Sequence, residues 1–341
     1  MGLKQKTITK CSAAIRLACA IALCLALLPP PAWAAAAYDP LSVQPGPKPR
    51  LLELNVVDEA RQRDIPLRVY LPASNAPAPV VLFSHGLGGS GREYAYLGEH
   101  WASRGYVAVL LQHRGSDTSV WEDKPADERL AAMREAASLS NFLLRVKDVS
   151  VVLDRLEYLN KARGEALSGR LDLGHVGMAG HSFGAITTQA VSGQSTGLDK
   201  ISFVDARIKA AVIMSPSSPA RIEPDRSFGS VKTPWMLMTG THDLVPALGT
   251  TSMATRLAVF PALPPGGKYE LMLFDAEHSV FTDRPLPGDS KPRNPNHHRA
   301  ILAISTAFWD AYLRDEGVAR AWLDGDGPKE VIGKNDRWQR K

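Results

Sequence analysis

The sequence predicts an open α/β architecture, a mostly parallel eight-stranded sheet with helices on both faces. Three observations carry that expectation. Short apolar runs, several of them nearly continuous, recur along the chain as strands covered on both faces do. Between them, apolar residues return every three or four positions, the period of core-facing helices. The residue types able to do chemistry fall just after the runs, where right-handed crossovers gather the loops at the strands' C-terminal edge.

The first 34 residues read as a secretory signal peptide. Lys4, Lys6, Lys10 and Arg16 precede an apolar run from Leu17 to Leu28, then three prolines and Ala32-Trp33-Ala34, a small-x-small cleavage site. An apolar run of 12 residues spans about 18 Å of helix against a hydrocarbon core of about 30 Å, too short for an anchor. The mature chain is therefore expected in the periplasm or outside the cell, with no integral membrane segment. Residues 35–50, with four prolines, form an extended linker to a catalytic domain over 51–341.

Strand candidates are Leu51 to Val57, Leu67 to Leu71, Val80 to Ser84, Tyr106 to Leu111, His175 to Ala179, Ala210 to Met214, Trp235 to Thr239 and Tyr269 to Phe274. The first two, joined by the charged turn DEARQRD, are expected as an antiparallel hairpin at one edge. Phe142, Val146, Val149, Val152 or Leu153, Leu156 and Leu159 mark one core-facing helix, and Ile301, Ile304, Phe308 and Tyr312 another. Residues 115–140, with Trp121, many charges and the helical stretch ADERLAAMREAASL, are expected to be a solvated connection, a small lid being the other reading.

Composition narrows the function classes. With 45% apolar and 22% charged residues the chain is globular. Its formal charge is +5, but the leader supplies four of those charges, so no basic stripe remains to bind nucleic acid. All three cysteines, Cys11, Cys19 and Cys24, lie in the leader, which leaves the mature chain without disulfide, thiolate nucleophile or cysteine metal site. No zinc-ligand spacing appears around Asp283, Asp289, His297 and His298, and no metal or other cofactor is expected.

The strongest motif is Gly180-His181-Ser182-Phe183-Gly184, between the strand HVGMA and the small-residue helix AITTQAV. Glycines two before and two after a serine permit a strand-to-helix turn too tight for side chains, with the serine Oγ exposed beside a helix N-terminus. An N-cap serine alone would not require both glycines. A serine hydroxyl needs an imidazole to take its proton and a carboxylate to orient that imidazole. Asp243 in TGTHDLVP and His278 in AEHSVF each follow a strand, in the chain order Ser, acid, His. Asp275, Glu277 and Asp205 are rival acids; His181, His242, His85 and the pair His297/His298 are rival bases. Two amides must receive the oxyanion. Phe183 N–H is the first, and the glycine-rich turn Ser84-His85-Gly86-Leu87-Gly88-Gly89 offers the second, at Leu87 or else Gly86. Gly86, Gly88, His113 and Met214 are expected to touch substrate; Arg114 and Asp117 order their loop, and Trp121 and Phe281 are candidate pocket walls.

From FSHGLGG through GHSFG, TGTHD and AEHSVF, over roughly residues 50 to 315, the chain resembles the α/β-hydrolase superfamily. More narrowly it is similar to bacterial predicted dienelactone hydrolases and platelet-activating factor acetylhydrolases. The resemblance implies an α/β-hydrolase fold, an oxyanion hole from the Leu87 and Phe183 amides, and a small-molecule ester as substrate, with a short acyl group on a large hydrophobic alcohol. True dienelactone hydrolases use a cysteine where this chain has Ser182. Cutinase-type polyester hydrolases usually carry Met where it has Phe183. A polyester/cutinase-like or lipase-like hydrolase and a non-catalytic periplasmic binding protein on the same scaffold are the alternatives to a serine carboxylesterase.

Overall fold

A computed structural model describes residues 37–341 except 44, 199–200, 251 and 287. The signal-peptide reading of residues 1–34 lies outside the described residues. One sheet of nine strands, ordered β1-β2-β4-β3-β5-β6-β7-β8-β9, organises the unit formed by residues 39–341. Its strands are β1 Arg50–Asp58, β2 Arg63–Leu71, β3 Ala78–Ser84, β4 Val107–Leu111, β5 Leu171–His181, β6 Ile208–Met214, β7 Trp235–His242, β8 Lys268–Glu277 and β9 Arg337–Arg340. The eight apolar runs all form strands, and β1 and β2 make the expected antiparallel edge hairpin.

The expectation of eight strands is corrected by β9, which closes the far edge antiparallel to β8. Its sequence, RWQR, has no apolar run to announce it. Polar and aromatic contacts hold it: Arg337 Nη2 donates to Glu270 Oε2 at 3.0 Å, Gln339 Nε2 to the same oxygen at 2.5 Å, and the Trp338 ring stacks on Tyr269 at 5.6 Å.

The interior strands are buried on alternate sides by different helices. The longer helices are α1 Ala95–Ser103, α2 Ala126–Ala136, α3 Leu139–Lys161, α4 Phe183–Ser192, α5 Pro295–Leu313 and α6 Gly317–Asp324. Leu82, Val109 and Met178 join Val149, Val152 and Leu156 of α3 and Val191 of α4 in one core cluster. On the opposite side Phe83 meets Trp101 of α1, whose ring stands edge-on to Trp309 of α5 at 5.9 Å. Gly177 lies beneath α5 because a Cβ there would come within 2.8 Å of the Trp309 ring. Alternation along β3 thus places Leu82 and Phe83 in different layers, as a two-sided sheet demands.

Candidate active site

Ser182 sits where β5 turns into α4. Its φ of 57° and ψ of −116° lie outside the regions ordinary residues prefer, and such strain persists only where surroundings impose it. A Cβ at Gly184 would overlap the Ser84 carbonyl, and one at Gly180 would overlap the Gly184 carbonyl. These approaches hold the turn closed, and Ser182 N–H donates to Met214 O at 3.0 Å.

Two further strand ends deliver the partners. His278 follows β8, and its Nε2 lies 2.9 Å from Ser182 Oγ. Asp243 follows β7, and its Oδ1 lies 2.5 Å from His278 Nδ1. The hydrogen-bond pattern makes Nδ1–H the donor to the carboxylate and leaves Nε2 to face the serine. Asp243 is wholly buried; its Oδ2 accepts from Ser215 Oγ at 2.7 Å and Thr239 Oγ1 at 2.8 Å. Arg256 Nη2 pairs with Oδ1 at 3.0 Å, while Arg256 Nε donates to Asp243 O at 2.6 Å. Burial alone would raise the acid's pKa, but the His278 and Arg256 charges and the His278 and Ser215 hydrogen bonds outweigh it, holding the carboxyl well below the usual range.

Across the serine lies the turn after β3. Gly86 is close enough that a Cβ would stand 3.4 Å from Ser182 Cβ. Gly89 N–H closes the turn on Gly86 O at 3.2 Å, and Gly88, at φ 66°, donates to Ser116 O at 2.9 Å. Among the described residues the Leu87 and Phe183 amides donate to no acceptor. An imidazole bridging a hydroxyl and a buried carboxylate, beside two free amides, can transfer a proton and receive a developing oxyanion.

Other expected positions lie elsewhere. His113 is corrected: it is fully buried, with Nδ1 donating to Asp148 Oδ2 at 2.9 Å and Nε2 2.9 Å from Ser84 Oγ, so it braces the loop from beneath and cannot touch substrate. Met214 is also corrected, being wholly buried and serving through its carbonyl. Phe281 is buried against the His181 ring at 5.2 Å, not a pocket wall. Asp117 orders its loop, accepting from Gln112 and Ser119, while Arg114 O accepts from Arg63.

The rival residues are engaged away from Ser182. His181 Nδ1 bonds Tyr94 OH at 2.8 Å, and His85 Nε2 accepts His113 N–H at 3.0 Å. His242 pairs with Asp275, which also binds Lys291, and Glu277 accepts the Ser290 and Lys291 amides. Asp205 takes Arg207. His298 stacks on Tyr96 at 4.1 Å, and His297 is buried at the start of α5.

The 115–140 segment runs over the site's rim. Trp121 Nε1 donates to Gly88 O at 2.7 Å, and Arg134 of the largely exposed α2 donates to Ala247 O at 2.9 Å, beyond Asp243. Sequence reasoning missed Ser215, Thr239, Arg256 and Tyr94. Ser215 and Thr239 had a usable signal, since both lie at the C-terminal ends of strands; Arg256 and Tyr94 sit in helical turns that carry none.

No helix of the described residues is long and apolar enough to cross a membrane. Over 134 residues the chain is 29% identical to a platelet-activating factor acetylhydrolase of Cavia porcellus, covering 32% of this chain and 30% of that one. It is 26% identical over 165 residues to a "Putative phospholipase A2" of Schizosaccharomyces pombe, covering 38% of each. The chain therefore spans well under half the length of these relatives. A model of the alpha/beta hydrolase family matches residues 81–341, and with the sheet order and strand-end site described above the chain belongs to that family.

Proposed function

We propose that the protein is a serine-dependent carboxylic ester hydrolase acting on short-acyl esters of hydrophobic or lipid-like alcohols. The observation that supports this most is His278, with Nε2 at 2.9 Å from Ser182 Oγ and Nδ1 at 2.5 Å from Asp243 Oδ1. Ser182 Oγ attacks the ester carbonyl while His278 Nε2 takes its proton. Asp243 holds the imidazole in the useful tautomer and offsets the imidazolium charge. The Leu87 and Phe183 amides receive the carbonyl oxygen as it becomes an oxyanion, each worth about 3–4 kcal/mol of barrier. His278 then protonates the departing alcohol. Water, deprotonated by the same imidazole, attacks the acyl-serine, and collapse of the second tetrahedral intermediate breaks the acyl–Oγ bond, His278 returning the proton to Ser182 Oγ as the acid leaves.

The names of the two relatives favour a lipid-like alcohol, and the acetylhydrolase among them favours a short acyl group. We further propose that the mature enzyme begins near Ala35 and works outside the cytoplasm, which N-terminal sequencing of the protein recovered from its cells would test.

A p-nitrophenyl ester series of increasing acyl length, run beside a peptide and a thioester, tests the activity. Fastest turnover is expected with acetyl. Organophosphonate should abolish turnover and EDTA should leave it unchanged, while Ser182→Ala should cost at least about a thousandfold. Turnover retained in that variant would refute the mechanism; rates that climb with chain length would instead favour a lipase- or cutinase-like pocket.

A further inference from the structure

Beneath the candidate oxyanion site lies a wholly buried cation that no step above uses. Among the described residues Arg145, on α3, has no carboxylate within salt-bridge distance, and its fork is spent on neutral acceptors. Nη1 donates to His85 O at 2.7 Å and Nη2 to Gly86 O at 3.3 Å. Nε donates to Ser116 Oγ at 2.8 Å and Nη2 to Ser116 O at 3.2 Å. The guanidinium carbon stands 4.5 Å from the centre of the Phe183 ring. Burial pulls the guanidinium down to about 9, which leaves it charged at neutral pH.

These contacts have a geometric consequence for the Gly86–Leu87 peptide. In a planar trans peptide the C=O and N–H point in opposite directions. Gly86 O is held inward by Arg145, by His85 Nδ1 at 2.6 Å and by Gly89 N–H, so Leu87 N–H is turned outward. The neighbouring peptide follows the same logic: His85 O points at Arg145, and Gly86 N–H points at Tyr94 OH. On the other side the guanidinium seats the ring of Phe183, whose amide is the second free donor.

We infer that Arg145 is a positioning residue for both halves of the oxyanion hole, aiming the Leu87 amide through the Gly86 carbonyl and holding Phe183 by its ring. This rests on the ester hydrolase reading. Its charge sits behind the two donors, so its field also favours the oxyanion, although it touches no reacting atom. A planar five-donor fork is needed: lysine keeps the charge but cannot reach the His85, Gly86 and Ser116 acceptors together.

The test uses full-length mature enzyme, with kcat and KM on p-nitrophenyl acetate and affinity for a trifluoromethyl ketone that forms a tetrahedral adduct. Arg145→Met is expected to lower kcat by about 10- to 100-fold with KM within about twofold, and to weaken the ketone by a similar factor. Arg145→Lys should recover less than about a tenth of the lost rate. Should neither variant fold, Ser116→Ala, which removes the Nε acceptor together with the Ser116 Oγ bond to His113 O, decides: a several-fold fall in kcat and ketone affinity at constant KM supports the inference. Folded Arg145 variants, or Ser116→Ala, with unchanged kcat and ketone affinity would overturn it, as would a change confined to KM. Wild-type enzyme inert towards every ester would instead remove the hydrolase reading on which the inference stands.

Discussion

Arg256 Nη2 stands 3.0 Å from Asp243 Oδ1, the same oxygen that His278 Nδ1 meets at 2.5 Å. The carboxylate is therefore shared between the Arg256 guanidinium and the imidazole that faces Ser182. Around that imidazole are Asp243, Arg256, the Ser215 hydroxyl and the neutral ring of His181 at 4.5 Å, whose pKa burial and the nearby His278 drive well below the ordinary value.

Replacing Arg256 by Met takes away the cation paired with Asp243 Oδ1 and the clamp on the Asp243 main chain, loosening the acid that orients His278. kcat/KM on p-nitrophenyl acetate should fall about tenfold, because the imidazole is less firmly held in the tautomer that faces Ser182. Stability should fall by about 3 kcal/mol, since Asp243 loses a buried partner and the Ser215 and Pro216 carbonyls lose their donor. Steady-state kinetics with urea titration, both at pH 7, check the two outcomes.

Gly184→Ala should prevent the elbow from closing. The added Cβ would overlap the Ser84 carbonyl, a backbone atom of β3 that cannot move without breaking the sheet, so a loss of about 3 kcal/mol or more is expected. Gly164→Ala provides the contrast: at φ 83° with open space around it, the change should cost only about 1–2 kcal/mol of backbone strain. Thermal unfolding of the two variants measures the difference.

His113 makes stability fall with acid. Burial, with help from Arg145 and against Asp148, depresses its pKa from 6.5 to about 4. The unfolded chain therefore takes up a proton before the folded one does. The contribution is complete above about pH 6.5 and is lost as pH drops towards 4, amounting to about 2–3 kcal/mol by pH 4.5. Urea titrations at pH 7 and 4.5 should show the decline, and His113→Gln should remove the His113 share of it, with the buried His85 and His181 and the half-buried His100 among the groups supplying the rest, while lowering stability at pH 7 through the lost imidazole link to Asp148.

How much of this could be read in advance differs by element. The eight apolar strands were legible because burial on both faces writes them as apolar runs, while β9 was not, because Glu270, a backbone ladder and the single Trp338 ring stacked on Tyr269 hold it rather than an apolar run. The meeting of Ser182, Asp243 and His278 was legible because each follows a strand, and a parallel sheet collects its strand ends at one edge. His113 also follows a strand, yet its ring turns inward to Asp148, because sequence position locates the backbone and says nothing about which way a polar side chain finds its partners.

What the sequence by itself determined is the order of elements and the residues delivered to the functional edge, since those follow from hydrophobic period and from glycines that only a tight turn requires. Tertiary structure alone decided how those residues are supported. Arg145 lies 61 residues from Ser84 and reaches the carbonyls beside it, and Arg256 lies 13 residues beyond Asp243 and clasps its main chain. Such pairings depend on which helix lies over which loop, and buried polar groups take whatever donor the packing brings within reach, which no local pattern records.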